Sequence, residues 1–279
     1  DLIEFANGAI TTQWGKLRAE MGHPEPFHLK MLGVGNENWG PQYLERFKVF
    51  QKALKEKHPE IKLIASSGTD PVGERFNLLN TELRALNTDF IDEHYYRPPQ
   101  FFFSNINRYD NYPRNGSKVF AGEYASHVPN TNGAVKSNWL AALSEAAFLT
   151  GLERNAEVVQ MASYAPLFAH YDGWQWAPDL IWVNNLKIVG SPSYHVQKLY
   201  SLNKGTTVIP IQRDHKIIDG KDSLYATAAI DATSKEIIVK NVNALTGEQK
   251  ISLNFEGIKK LAATAVHTVL QNDDLNKIN

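Results

Sequence analysis

The sequence lacks several features that would point to particular classes of protein. Its 279 residues include no cysteine, which excludes disulfide bonds and thiolate chemistry. The formal net charge is −1, so the chain lacks the basic excess that favours nucleic acid or an anionic membrane surface. No apolar run approaches the roughly 20 residues that cross a bilayer. We therefore expect neither a nucleic-acid partner nor a membrane partner.

Motifs for metal, phosphate and serine-nucleophile chemistry are also missing. His94, His127 and His170 show neither the His-x-x-x-His spacing nor the close carboxylate pattern of a metal site. The sequence has no glycine-rich phosphate loop and no Gly-x-Ser-x-Gly elbow, and Gly33-x-Gly35 is only a fragment of a dinucleotide fingerprint. The sequence thus predicts no metal site and no organic cofactor.

Through residue 200, short apolar runs alternate with segments of helical spacing. After Pro41, for example, apolar residues recur on one predicted helical face at Leu44, Phe47, Phe50 and Leu54. Strands that alternate with amphipathic helices indicate βαβ units and a parallel sheet. The predicted strands are residues 30–35, 61–65, 90–95, 118–123 and 158–164. One predicted helix begins at Pro41 and is ended by His58-Pro59, and the others are 76–86, 138–152 and 192–202.

The composition changes near Gly205, where short β-rich segments replace the alternating pattern. They are separated by turn signals such as Thr246-Gly247-Glu248, which is typical of an antiparallel sandwich. The predicted domains are 1–204, part of a (β/α)₈ barrel, and 205–279, an incomplete β-sandwich. The predicted sandwich strands are 206–212, 223–230, 236–241, 249–255 and 260–269.

A closed barrel needs eight strands, and the sequence supplies about five. We expect about three to precede Asp1, so that this chain holds about strands 4 to 8. The strands at 30–34 and 158–164 would then have bare edges, which another chain would cover or which would leave an open arc. Such edges are compatible with a homo-oligomer, and the chain alone should show little activity.

Two glutamates follow strand-like runs, Glu37 in Gly35-Asn36-Glu37 and Glu123 in Ala121-Gly122-Glu123-Tyr124. Barrel enzymes place their chemistry at the carboxyl ends of the strands, and two carboxyls that face one pocket are typical of a glycoside hydrolase. Asn36 can bond a sugar hydroxyl beside the reacting carbon. The alternative is that Asn36-Glu37 is a common structural dipeptide and that Glu123 caps or salt-bridges a loop.

Further side chains extend this hypothesis. His94 and Tyr96 end the intervening strand and could hold a charged nucleophile by hydrogen bonding, although His94 could equally be a buried structural histidine. Trp39, Trp174 and Trp176 stand beside glycine, proline or aspartate, where complete burial is difficult. Flat aromatic faces on loops suit sugar rings, and the alternative for each tryptophan is core packing.

Six stretches together resemble the family 51 glycoside hydrolases, the α-L-arabinofuranosidases. This resemblance implies a (β/α)₈ barrel with a β-sandwich and retention of anomeric configuration. It implies that Glu37 is the acid/base and Glu123 the nucleophile. Asn36 would bind the sugar, and His94 and Tyr96 would support the nucleophile. The family's glycone pocket also takes a glutamate and an asparagine from earlier strands, which would precede this sequence. The six stretches are Ile3 to Gly8, Gly22 to Phe27, Gly35 to Glu37, Glu93 to Tyr96, Ala121 to Ala125 and Tyr164 to Leu167.

The predicted function is therefore that of a retaining exo-acting α-L-arabinofuranosidase. Its partner would be an arabinose-containing oligosaccharide or polysaccharide such as arabinan or arabinoxylan, and this substrate class favours a secreted or periplasmic location. The loop from Asp172 to Asn185 varies within the family, and Trp174 and Trp176 are assigned there to substrate contact. The alternatives are another retaining barrel hydrolase, such as an endoglucanase or xylanase, and a non-catalytic sugar-binding protein.

Overall fold

A computed structural model describes residues 1–129, 137–258 and 260–278. The chain divides into two compact units. Unit 1 comprises Asp1–His94 and Asn115–Phe120, and unit 2 comprises Tyr95–Arg114 and Ala121–Asn279. Within the described ranges, every helix is too short or too polar to span a bilayer.

Seven helices are present in the part of the chain that the structure describes, and local signals explain where several of them begin. Pro41 occupies the first turn of the third helix, where its missing N–H costs no hydrogen bond. The side chains of Asn138 and Ser191 cap the sixth and seventh helices by accepting backbone N–H groups. The helices are α1 (Leu2–Asn7), α2 (Gln13–Glu20), α3 (Pro41–Lys57), α4 (Glu74–Ala85), α5 (Pro99–Ser104), α6 (Trp139–Arg154) and α7 (Pro192–Leu202).

In the described residues, the strands form one larger sheet and three small ones. The larger sheet has the order β1-β2-β3-β4-β5, in which β1 pairs parallel with β2 and β2 parallel with β3. The strands are β1 (Met31–Val34), β2 (Lys62–Ser66), β3 (Phe90–Arg97), β4 (Lys118–Ser126), β5 (Val159–Tyr164), β6 (Phe168–His170), β7 (Ile181–Val183), β8 (Ile188–Gly190), β9 (Thr207–Ile209), β10 (Gln212–Arg213), β11 (Lys216–Ile217), β12 (Leu224–Asp231) and β13 (Glu236–Asn243).

The core of unit 1 lies between its helices and the first strands. Leu44 and Phe47 of α3 pack with Leu79 and Leu83 of α4 around the fully buried Ile91 of β3. This is the expected result of amphipathic helices that cover one face of a parallel sheet.

A buried cation ties the first segment of unit 1 together. The guanidinium of Arg18 is fully buried and donates to the carbonyl oxygens of Phe5, His23 and Pro24 at 2.7 to 3.0 Å. Nearby, the side chain of Asn7 donates to the Leu29 carbonyl and accepts the Leu29 N–H. These contacts fix the loop that precedes β1, since each pairs a backbone group with a side chain.

The core of unit 2 is built around α6, which is buried on nearly all of its faces. It packs against α5, α7 and the antiparallel sheet of order β13-β12-β9. The carbonyl oxygens of Leu275 and Lys277 accept the N–H groups of Leu140 and Trp139, each at 2.9 Å. The C-terminal segment thereby satisfies two backbone donors at the start of α6 that the helix itself leaves unpaired.

The predicted α/β class and the five strands of the parallel sheet are confirmed, and β1 and β5 are the end strands of that sheet. The prediction of strands at 249–255 and 260–269 was wrong, because the described residues there form no ladder. Ile251, Leu253 and Val266 are exposed. An apolar run becomes a strand only where a neighbour takes its backbone hydrogen bonds.

Candidate active site

Glu37 lies on a strained loop that directly follows β1. Its φ of 54° is in the left-handed region, which costs a non-glycine residue about 1–3 kcal/mol and is common at functional sites. Gly35 has φ 89°, and a side chain there would collide with Asn38 Oδ1. That Oδ1 accepts the Asn36 N–H at 2.9 Å. The turn therefore depends on glycine at 35 and presents Glu37 at the carboxyl end of β1.

Residues of β2 and α3 hold this loop in place. The Ser66 hydroxyl donates to the Asn38 carbonyl at 3.1 Å and accepts the Gly68 N–H at 3.1 Å. The Tyr43 hydroxyl donates to the Val34 carbonyl at 2.7 Å and accepts the Ser66 N–H at 2.9 Å. Burial raises the pKa of Tyr43 to about 12, so this bridge between the ends of β1 and β2 stays neutral.

His94 joins Glu37 to Asp92. Its Nδ1 lies 3.0 Å from Glu37 Oε1, its Nε2 lies 3.1 Å from Asp92 Oδ2, and the ring is almost wholly buried. A neutral imidazole has one N–H, so it can bond two carboxyl groups only if one of them carries a proton or if the ring is charged. Asp92, His94 and Glu37 therefore form a hydrogen-bonded triad in which His94 links the two carboxyl groups. Both ring nitrogens are engaged, so the ring could bind a metal only by giving up one of these bonds.

Glu123 is the sixth of the nine residues of β4, since the strand continues to Ser126 beyond its predicted end. The Tyr96 hydroxyl donates to Glu123 Oε2 at 2.6 Å, a short charge-assisted bond. The ring of His127 lies 5.5 Å from that of Tyr96. The Ser163 hydroxyl of β5 donates to the Gly122 carbonyl at 2.5 Å. Glu123 is therefore held through its side chain and through the neighbouring backbone.

A buried polar layer supports β4 just beyond Glu123. The Tyr124 hydroxyl donates to Gln197 Oε1 of α7 at 2.7 Å. The Ser126 N–H donates to Glu145 Oε1 of α6 at 2.8 Å. Burial raises the pKa of Glu145 to about 8, although bonds from Ser126 and Ser193 favour its charged form. Two helices thus fix the end of the strand that carries Glu123.

The remaining predicted residues lie in exposed positions. Asn36 is exposed beside Glu37, and Trp39 is 52% exposed with its ring against Arg75. Trp174 and Trp176 lie on the connection between β6 and β7, and Trp174 contacts Trp182 edge-on at 6.5 Å between ring centroids. The alternative of core packing is therefore wrong for these three tryptophans. Their contact with substrate stays a prediction.

Sequence reasoning missed the roles of Asp92 and Tyr43, and it gave His127 little weight. Asp92, His94 and Tyr96 alternate along β3, and residues two apart on a strand point to one face. This alternation at every second residue could have identified Asp92 from sequence. The signal for Tyr43 was absent, because its bond to Ser66 joins residues 23 positions apart.

A parallel α/β sheet with hydrogen-bonded glutamates toward its carboxyl edge is the arrangement typical of α/β glycoside hydrolases. Two family models match the sequence, the α-L-arabinofuranosidase C-terminal domain over residues 122–279 and the α-L-arabinofuranosidase 1 domain over residues 1–114. The chain belongs to the family 51 α-L-arabinofuranosidases, which confirms the resemblance found in the sequence motifs.

Individual relatives agree with this assignment. An extracellular exo-α-L-arabinofuranosidase of Streptomyces chartreusis is 50% identical over 75% of this chain and 25% of its own length. α-L-Arabinofuranosidase 2 of Arabidopsis thaliana is 37% identical over 99% of this chain and 40% of its own length. The chain thus spans well under half of these relatives.

Solved structures give the same result for the fold. An arabinose-bound GH51 α-L-arabinofuranosidase is 33% identical, with a TM-score of 0.73 over 88% of this chain and 39% of the other. The arabinose complex of the Thermotoga maritima α-L-arabinofuranosidase has a TM-score of 0.66 over 87% of this chain and 57% of the other, and at 21% identity it supports the fold alone.

Proposed function

We propose that the chain carries both catalytic glutamates of a retaining exo-acting α-L-arabinofuranosidase. The observation that carries this proposal is that each glutamate has a partner from β3, His94 for Glu37 at 3.0 Å and Tyr96 for Glu123 at 2.6 Å. His94 and Tyr96 are two residues apart, so they point to the same side of the strand. We infer that the two carboxyls face one sugar at the separation of a retaining enzyme, about 5 Å.

The reaction then proceeds in two displacements. Glu123 attacks the anomeric carbon and forms a glycosyl ester, while Glu37 gives its proton to the departing glycosidic oxygen. In the second step Glu37 takes a proton from water, the water oxygen attacks the anomeric carbon, and Glu123 leaves as a carboxylate. Tyr96 stabilises the charge on Glu123 before attack and after release. His94, which contacts both Glu37 and Asp92, would hold the Glu37 carboxyl in place for these proton transfers.

The substrate proposal rests on the relatives. The 33% identical neighbour is described as arabinose-bound, and the curated relatives are named arabinofuranosidases. We propose terminal arabinofuranose on arabinan or arabinoxylan as the substrate, with Asn36 bonding a sugar hydroxyl and Trp174 and Trp176 contacting the polysaccharide. The Streptomyces relative is named extracellular, which supports a secreted location for this protein too.

The finer architecture belongs to the same proposal. We assign residues 1–204 to about strands 4 to 8 of a (β/α)₈ barrel and 205–279 to a β-sandwich. The sheet order β1-β2-β3-β4-β5 supports the barrel, since sequential parallel strands are neighbours in such barrels. The antiparallel sheet β13-β12-β9 supports the sandwich.

Mutagenesis of the complete gene product tests the roles of the two glutamates. Glu123→Ala should nearly abolish hydrolysis of 4-nitrophenyl α-L-arabinofuranoside, and azide should restore turnover with an inverted product. Glu37→Ala should slow substrates with poor leaving groups far more than the nitrophenyl glycoside, which needs little protonation. Glu60→Ala, an exposed glutamate of unit 1, serves as the matched control and should change neither rate.

Each alternative gives a different result. Faster hydrolysis of an aryl xyloside or cellobioside than of the arabinofuranoside would favour another retaining hydrolase. Sugar binding without turnover would favour a non-catalytic binding protein. If the two alanine variants exchange phenotypes, the acid/base and nucleophile roles are reversed. A crystal structure with the carboxyls more than about 9 Å apart would contradict a retaining mechanism.

A further inference from the structure

Trp39 and Arg75 form a stacked pair beside the loop that carries Glu37. The guanidinium carbon of Arg75 lies 3.9 Å from the centroid of the Trp39 ring. Trp39 follows β1, and Arg75 is the second residue of α4, which follows β2. A guanidinium over an indole face is attracted by the ring's negative face, so the pair fixes the orientation of the ring. About half of Trp39 nevertheless remains exposed, at 52%.

Trp39 lies on the same loop as Glu37, the proposed general acid. Trp39 lies two residues after Glu37, and the intervening Asn38 is held by Ser66. The general acid must reach the glycosidic oxygen, which lies between the sugar being released and the group that leaves. A side chain anchored on the loop of the proposed acid is therefore a candidate contact for the leaving group. Neither Trp39 nor Arg75 is needed for the two displacements.

The chemistry of the pair suits a neutral sugar ring. The indole offers an apolar face to the C–H groups of a pyranose or furanose. The guanidinium has five N–H donors around its plane, and a stacked guanidinium can direct them at hydroxyl groups. Arg75 is itself exposed, so these donors are accessible. An aromatic face with adjacent donors is a common way to bind a carbohydrate.

We propose that Trp39 and Arg75 bind the first sugar of the leaving group, with Arg75 as the positioning residue that orients Trp39. This inference rests on the proposed function and extends it from the released arabinose to the chain from which it is cut. The pair then favours substrates in which the leaving group is another neutral sugar over substrates with a small alcohol as leaving group.

Steady-state kinetics on two substrates test the proposal in the complete gene product. One substrate is an arabinosylated xylo-oligosaccharide, and the other is methyl α-L-arabinofuranoside, whose leaving group is too small to reach the pair. Arg75→Ala should raise KM for the oligosaccharide about three- to fivefold more than KM for the methyl glycoside, as expected for an exposed cation–π contact. Trp39→Ala should produce a larger difference, about tenfold. Arg75→Lys should retain part of the discrimination.

Controls separate this role from a structural one. Arg46→Ala removes another exposed arginine of unit 1, from α3, and should leave the ratio of the two KM values as in the parent enzyme. The proposal would be overturned if Arg75→Ala changed KM equally for both substrates. It would also be overturned if the variant changed the thermal midpoint but not the ratio of the two KM values, because the pair would then only stabilise the contact between its two loops. A parent enzyme that hydrolyses neither arabinofuranoside would instead refute the proposed function.

Discussion

Glu145→Gln should stabilise the protein at neutral pH but not at acid pH. Glu145 is fully buried on α6, where its Oε1 accepts the Ser126 N–H at 2.8 Å. Burial raises its pKa from 4.5 to about 8, and its negative charge would lie near the buried hydroxyl groups of Tyr124 and Tyr164. A glutamine can keep the oxygen that accepts the Ser126 N–H and has no charge to bury.

The raised pKa determines the sign and the pH window. Between pH 4.5 and about 8 the folded protein retains a proton on Glu145 that the unfolded chain releases, so the free energy of unfolding falls as pH rises. Each pKa unit corresponds to about 1.4 kcal/mol. Relative to its value below pH 4.5, the free energy of unfolding should thus be lower by about 3 kcal/mol at pH 7 and by about 5 kcal/mol above pH 8. Glu145→Gln has no ionisable group at this position, so its free energy of unfolding should not fall in this way as pH rises.

Urea unfolding followed by tryptophan fluorescence at several pH values from 4 to 8.5 measures this difference. The variant and the parent should have similar free energies of unfolding near pH 4. Above pH 4, the free energy of unfolding of the variant should increasingly exceed that of the parent. Glu157→Gln, an exposed glutamate of the same unit, is the matched control and should show no such divergence. Parallel curves for Glu145→Gln and the parent across the whole range would refute the reasoning, as would a variant that is less stable at pH 7.

Three further predictions concern single side chains. Tyr96→Phe removes the 2.6 Å bond to Glu123 and should lower kcat on the nitrophenyl glycoside about tenfold or more, whereas an unchanged kcat would contradict the role of Tyr96. Arg18→Met removes a fully buried guanidinium and its hydrogen bonds to three backbone carbonyl groups, and it should lower the free energy of unfolding in urea by about 3 kcal/mol or more. Tyr43→Phe removes the bridge between β1 and β2 and should cost about 1–3 kcal/mol in the same assay, so a neutral result would exclude that bridge as a stabilising element.

The alternating pattern of strands and helices was readable from sequence because it depends on local spacing. The helix predicted at 192–202 has those bounds in the structure, since Ser191 caps it and Pro192 begins it. The short strands β6, β7 and β8 were not predicted, because three residues are too few to show a period. The end of β4 was placed three residues early, because the burial that extends it comes from α6 and α7.

In the candidate site, too, some features could be predicted from local sequence and others depend on tertiary contacts. Glu37, Glu123, His94 and Tyr96 could be named from sequence, because a carboxylate after an apolar run and a polar residue at a strand end are local signals. The pairing of His94 with Glu37 joins residues 57 positions apart, and that of Tyr96 with Glu123 joins residues 27 apart. Such partnerships depend on which strands become neighbours.

The sequence by itself thus determined the α/β class and the family, and it pointed to the two glutamates proposed as catalytic, because these depend on residue type and local spacing. Only the tertiary structure decided that His94 links Asp92 to Glu37 and that Arg75 covers one face of Trp39. It alone decided that Glu145 is buried behind the strand of Glu123. The physical reason is that hydrogen bonding and desolvation act over a few ångströms in space, whatever the separation along the chain.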